Sequence, residues 1–195
     1  MLNVLEDGSE VECCTMGNET AFGLMAAQEP TRSFTRDVLQ IAGAGAKMDA
    51  RAFRGAYAQS VSLAAVAHRH IRVVWGFMAQ CAACNARHKV EARLCRWLLT
   101  CADYVEGDYL PLTQEFIAAM LGVQRTSVTD AAAGLQEQGL IRVVRGKVTV
   151  LDLAGLKQRS CECYAATRSR IDGALGPPVR HRALNGEMLA AAGGG

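Results

Sequence analysis

Long uninterrupted apolar runs are missing from this chain, although half of its 195 residues are hydrophobic. Arg or His interrupts each of the longest ones, so none offers the roughly 20 consecutive apolar residues of a membrane-crossing helix. The charged-then-apolar pattern of a secretory leader is also lacking, because polar and acidic residues follow Met1 to Asp7 at once. These absences predict a cytoplasmic protein without a membrane partner, whose eight cysteines are reduced thiols and not a disulfide framework. Net charge is small, at +2, but unevenly spread. Met1 to Asp37 carries seven acidic and two basic residues, whereas Leu156 to Arg182 carries six basic and two acidic ones. Any polyanion is therefore expected at the C-terminal half. No nucleophile beside a base, no phosphate-cradling loop and no placed carboxylate pair is recognisable, so an enzyme is not expected.

Proline is scarce, with four in the chain, and none falls between Phe53 and Val105. Leu63, Val66, His70, Val73, Phe77, Cys81 and Cys84 recur there every three or four positions, which predicts one long helix with an apolar stripe. A helix of that length in a small protein needs a partner for its stripe, and a second copy of itself is the simplest one. Packing within its own chain is the alternative. A second helix is expected to turn Val90, Leu94, Trp97, Leu98 and Cys101 inward, and Trp75 and Trp97 both read as core residues. Before this region, "LNVLEDGSEVECCTMGNETAFG" alternates apolar runs with turn signals at Asp7-Gly8 and Gly17-Asn18, the pattern of short antiparallel strands. "DVLQIAG" with "AKMDA" reads as a further strand and turn.

The stretch "LTQEFIAAMLGVQRTSVTDAAAGLQEQGLI" reads as two short helices joined at Gly122. Thr113 is placed to cap the first, Glu115 suits the positive end of its dipole, and Ile117, Met120 and Leu121 share its inner face. In the second, Val128, Ala132 and Leu135 point inward, leaving Arg125, Thr126, Thr129, Asp130 and Ala133 outside. Arg presents a fork of donors that matches the O6 and N7 edge of guanine, and Thr can bond a base or touch a thymine methyl. Gln124, Ser127, Thr113 and Gln114 are placed for phosphates. "IRVVRGKVTVLD" then predicts a two-stranded hairpin turning at Arg145-Gly146, with Arg145 and Lys147 at its tip. "LKQRSCECYAATRSRI" predicts one basic helix, and the residues beyond Gly173 a disordered tail.

"HKVEARLCRWLLTCAD", the helix pair and "RVVRGKVTVLDLAGLKQRSCECY" together resemble the Crp/Fnr family of bacterial transcription regulators, from about Leu63 to Tyr164. The resemblance implies an α+β protein: a partial sensor β-roll of the cyclic-nucleotide-binding type (1–52), a long dimerisation helix (53–87), a winged helix-turn-helix (88–155) and a C-terminal helix (156–172), with a tail over 173–195. It implies a homodimer that binds a palindromic operator in double-stranded DNA. RNA polymerase is a candidate partner, and the small-molecule effector is unassigned. The residues before Leu63 resemble only the second part of the sensor roll, so a truncated chain or a misassigned start is expected. Gly23 is followed by Leu24 where the family's cyclic-nucleotide cassette has Gly-Glu, and Arg32-Ser33 matches only half of that cassette, so no cofactor is expected. Thr126 and Asp130 replace a glutamate and an arginine of the catabolite activator, which leaves the operator open.

Cys81 and Cys84 form a CxxC within the long helix, with His88 one turn on. The sequence supplies no second CxxC at zinc spacing, so these read as small buried residues and no metal is expected. Cys161 and Cys163 lie within one expected helix and would then point to different sides of it. Two alternatives to a DNA-binding regulator follow: a thiol or metal sensor using Cys81 and Cys84, and a dimerising fragment that no longer binds DNA.

Overall fold

The computed structural model describes residues 1–29, 32–41, 43, 45–107, 109–177 and 181–182. The N-terminal region contributes one antiparallel hairpin, β1 (Leu2–Val4) with β2 (Glu10–Glu12), turning through Gly8. Among the described residues the expected strand in "DVLQIAG" does not form; a single bridge, at Arg36 just before it, pairs with Leu2. Its place on the core is held by side chains instead, Val38 and Ile41 packing against the main cluster.

The expected continuous helix over 53–87 is two helices, α1 (Ala50–Gln59) and α2 (Val61–Arg87). Ser60 separates them: its backbone is extended, and its hydroxyl accepts from the Leu63 N–H, so it caps α2. Tyr57 and His68 then tie the two helices together, with Oη and Nε2 2.7 Å apart.

α3 (Val90–Tyr104) is the centre of the molecule. Of the positions expected to face inward, Leu94, Trp97, Leu98 and Cys101 are buried and Val90 is half-buried; burial runs on all sides of the helix from Arg93 to Cys101, so Cys95 and Leu99 are enclosed as well. Around it lie α4 (Gln114–Leu121), α5 (Arg125–Glu137) and the hairpin β4 (Ile141–Val144) with β5 (Lys147–Val150), sharing one hydrophobic cluster with α6 (Leu153–Arg159). A two-residue strand, β3 (Val105–Glu106), follows α3 and pairs in parallel with β6 (His181–Arg182).

The single C-terminal helix expected over 156–172 is also two, α6 and α7 (Cys163–Leu175). Ser160 ends α6 in an extended conformation, and Cys161 and Glu162 form the link. Within the stretch expected as a tail from 173, α7 continues to Leu175 and His181–Arg182 form β6; residues 178–180 and 183–195 lie outside the described residues. Among the described residues no helix is long and apolar enough to cross a membrane.

Two side-chain expectations for α2 fail. Trp75 is 76% exposed, whereas Trp97 is wholly buried. The stripe assigned to a partner subunit is largely occupied by the chain itself. His70 bonds Thr20, Phe77 and Cys81 cluster with Cys14 and Ile171, and Cys84 packs on Cys161 and Cys163. Leu63 and Val73 are half-buried, and of the seven only Val66 is exposed.

Candidate functional site

Helices α4 and α5 form the expected pair. Thr113 Oγ1 accepts from the Phe116 N–H at 3.1 Å, which satisfies one otherwise unpaired donor of α4. Gly122 ends α4 at φ 61° and ψ 44°, the left-handed region that lets the chain turn at once into α5. A side chain at Gly122 would also meet Val11 of β2, 3.0 Å from where its Cβ would stand. Val128 and Leu135 are fully buried and Ala132 nearly so; this inner row fixes which face of α5 looks outward.

That outer face carries Arg125, Thr126, Thr129 and Asp130, all exposed, with Gln124 at the N-cap and Ser127 half-buried beside them. Thr129 Oγ1 lies 3.1 Å from both the Gln114 Oε1 and the Arg125 carbonyl oxygen, and donates toward them. Its hydroxyl proton is thereby engaged within the protein. The same contact orients Gln114, leaving its amide N–H groups for an acceptor outside.

The hairpin turns in two residues between Val144 and Lys147, with Arg145 at φ 45° and Gly146 at φ 76°. Both positive φ values match the twist of the flanking strands, which is why such turns favour Asn-Gly and Gly-Gly. Arg145 is the one non-glycine residue described in this region of backbone space. A Cβ on Gly146 would sit 3.3 Å from Thr113 Cγ2, so the hairpin tip lies against the start of α4. Lys147 Nζ stands 4.3 Å from the centre of the Tyr109 ring, a cation–π contact that holds the ammonium at this edge. Arg125, Arg145 and Lys147 thus supply exposed cations from α5 and the hairpin of one small domain.

A second cluster was only half visible in the sequence. Cys84 and His88, one turn apart at the end of α2, meet Cys161 and Cys163 from the α6–α7 link. Their sulfur and nitrogen atoms all lie within 4.8 Å of one another. Cys81 is not part of the group: it faces Cys14 and Phe77, and burial pushes its thiol up to about 12. The hydrogen bond from Cys161 instead draws the Cys84 thiol well below its ordinary value, and the Cys161 thiol is raised by the same contact. His88, bonded to Cys84, is raised from its ordinary value. The CEC residues were expected on opposite sides of a helix, but Cys161 precedes α7, so helical geometry does not separate it from Cys163. The signal was in the sequence, as CxxxH at helical spacing together with CxC.

Residues 92–159 match the family of Crp-like helix-turn-helix domains. Among solved structures, a CRP-family transcriptional regulator of Thermus thermophilus is 22% identical, covering 82% of this chain and 81% of its own, with a TM-score of 0.61. FixK2 of Bradyrhizobium japonicum is 15% identical over 57% of this chain and 59% of its own, at a TM-score of 0.53. A second Thermus thermophilus regulator, of the CRP/FNR family, is 25% identical over 52% of this chain, at a TM-score of 0.48, and the chain spans 55% of its length. No curated protein matches the sequence. The matched domain is the one that holds the helix pair and the basic hairpin: residues 92–159 form a Crp-like helix-turn-helix domain, and the chain takes the fold of the Crp/Fnr transcription regulators.

Proposed function

We propose that the protein binds double-stranded DNA sequence-specifically as a homodimer and regulates transcription. The observation that carries this reading is the outward row of Arg125, Thr126, Thr129 and Asp130 at the N-terminal end of α5, beside Arg145 and Lys147 at the hairpin tip. The N-terminal residues of a recognition helix are the ones that reach base edges in the major groove. Arg125 is placed to read guanine, Asp130 to accept from a cytosine amine, and Thr129 to bond a base or touch a thymine methyl. Thr113, Gln114, Gln124 and Ser127 are assigned to phosphates, as are Arg145 and Lys147 on the wing. RNA polymerase and an effector remain candidate partners from the family resemblance.

The two-fold partner is a second copy, docked along α2 on a different face from that read in the sequence. Val61, Ala65, His68, Arg72, Trp75, Ala79, Ala82 and Ala86 are spaced alternately four and three apart, and all are exposed. The spacing is that of a coiled-coil seam; Val61, Trp75 and four alanines supply its apolar positions and allow close approach of the helices, with the polar His68 and Arg72 between them. Selection from a random DNA pool with the full chain tests the whole reading. Enrichment of two-fold symmetric sites is expected, and a pool left without a shared motif would overturn it.

A further inference from the structure

We propose that Cys84, His88, Cys161 and Cys163 bind one zinc ion, which clamps the end of α2 to the junction of α6 and α7. Three cysteines and one histidine are a recurrent donor set of closed, tetrahedral structural zinc sites. With Zn–S near ~2.3 Å and Zn–N near ~2.0 Å, the ligand atoms of a tetrahedron stand roughly 3.5 to 3.8 Å apart. Here Cys84 Sγ and Cys161 Sγ are 3.5 Å apart, and Cys163 Sγ and His88 Nδ1 are 3.7 Å apart. A single small cation fits that spacing. An iron–sulfur cluster holds its ligands much more widely and commonly takes four cysteines.

The surroundings are arranged as the outer shell of a metal site is. His88 turns Nδ1 toward the sulfurs while Nε2 lies 3.2 Å from the Glu162 carboxylate. A carboxylate on the far nitrogen fixes the tautomer and orientation of a metal-bound histidine. Gln80 Nε2 donates to Cys163 Sγ at 3.1 Å, an N–H bond suited to a sulfur that carries negative charge. Three thiolates, a neutral imidazole and Zn(II) leave one net negative charge beside the buried guanidinium of Arg96, whose Nε lacks a hydrogen-bond partner among the described residues. Binding is a ligand exchange without redox change: Zn(II) gives up water, forms three Zn–S bonds and one Zn–N bond, and the thiol protons pass to solvent.

The clamp spans the molecule at a useful place. Cys84 belongs to the helix assigned to dimerisation and His88 caps its end, while Cys161 follows α6. Zinc would therefore fix the angle between the two.

The full chain, purified without chelator, is expected to carry about one zinc per chain by elemental mass spectrometry. Cobalt(II) in its place should give the thiolate charge-transfer and strong visible absorption of a tetrahedral site. Cys84→Ser and Cys163→Ser should lose the ion, while Cys81→Ser and Cys95→Ser keep it. Glu162→Gln, which removes no ligand, should weaken zinc binding about 10- to 100-fold with the same stoichiometry at saturation. A folded wild-type chain without metal or cobalt spectrum would overturn the proposal, as would zinc retained by both ligand variants. So would a Cys84–Cys161 disulfide mapped in protein prepared with zinc present. Metal content reads this site alone, so failure of the DNA-binding reading leaves it standing.

Discussion

Glu12 accepts the Trp97 Nε1–H on both carboxylate oxygens, at 3.0 and 3.1 Å, and thereby joins β2 to the centre of α3 across 85 residues of chain. Trp97 is wholly buried and Glu12 is 6% exposed, with Gln40 donating to the same carboxylate at 2.5 Å. Trp97→Phe keeps most of the apolar volume but leaves this buried carboxylate short of a donor. Hydrogen bonds to charged groups contribute about 1.5 to 3 kcal/mol, so a loss of stability in that range is expected by urea unfolding. A change below about 0.5 kcal/mol would mean that β2 does not rest on this bond.

Arg125→Ala is expected to cost roughly 1 to 3 kcal/mol at the selected operator and to relax the preference at one base position. Binding titrations against single-base operator variants check this. A uniform loss across all variants would make Arg125 a phosphate contact.

The helix pair was legible because its determinants are local: a Thr113 hydroxyl three residues from the N–H it caps, and a glycine where the backbone must turn left-handed. The faces of α2 were not. Leu63, Val66, His70, Val73 and Phe77 and the row through Val61, Ala65, His68, Arg72 and Trp75 both have helical spacing, and periodicity cannot say which one meets the chain's own α7. Only the tertiary fold decides that, and it buries Phe77 while exposing Trp75. The cysteine cluster failed to show for a related reason. Its two halves lie more than seventy residues apart, and the break at Ser160 that frees Cys161 from helical geometry has no strong local marker. Ser60 is similar, a cap that looks like an ordinary serine within a long periodic run.

Arg145 occupies a left-handed conformation that costs a residue with a Cβ about 1 to 2 kcal/mol, and asparagine tolerates it better. Arg145→Asn should therefore stabilise the isolated protein by about 0.5 to 1 kcal/mol while weakening DNA binding. The salt slope of affinity should also become shallower by about one unit. Thermal unfolding and titrations at several salt concentrations give the two readings. Unchanged affinity and slope would show that the wing does not touch the backbone. Lys147→Ala should lower affinity evenly across sequences in the same way.

His70 is buried and accepts from the Ala21 N–H at 3.4 Å, with Thr20 Oγ1 at 2.8 Å, and burial lowers its proton affinity despite the nearby Glu19. Its folded-state pKa lies below the unfolded value of 6.5, so the unfolded chain takes up the proton first as the pH falls. Stability should decline as the pH drops through about 6.5 toward the folded value. His70→Gln keeps an acceptor without that titration and should flatten the decline between about pH 7 and pH 5. An equally steep profile in the variant would assign the effect to other groups.

Trp75 is the large exposed side chain of the α2 row and stands at the middle of the proposed seam. Buried tryptophans at interface centres commonly contribute about 2 kcal/mol or more. Trp75→Arg should therefore weaken self-association about 30-fold or more, with helical content unchanged because the position meets solvent in the single chain. Phe77→Ala is the contrasting variant. Its side chain is buried against Cys14 and Ile171, so it should lower stability by about 3 to 5 kcal/mol through a cavity, with any effect on association following from unfolding. Analytical ultracentrifugation across a concentration series, with circular dichroism on the same samples, separates the two. A Trp75→Arg chain that sediments as the wild type does would place the two-fold axis elsewhere than along α2.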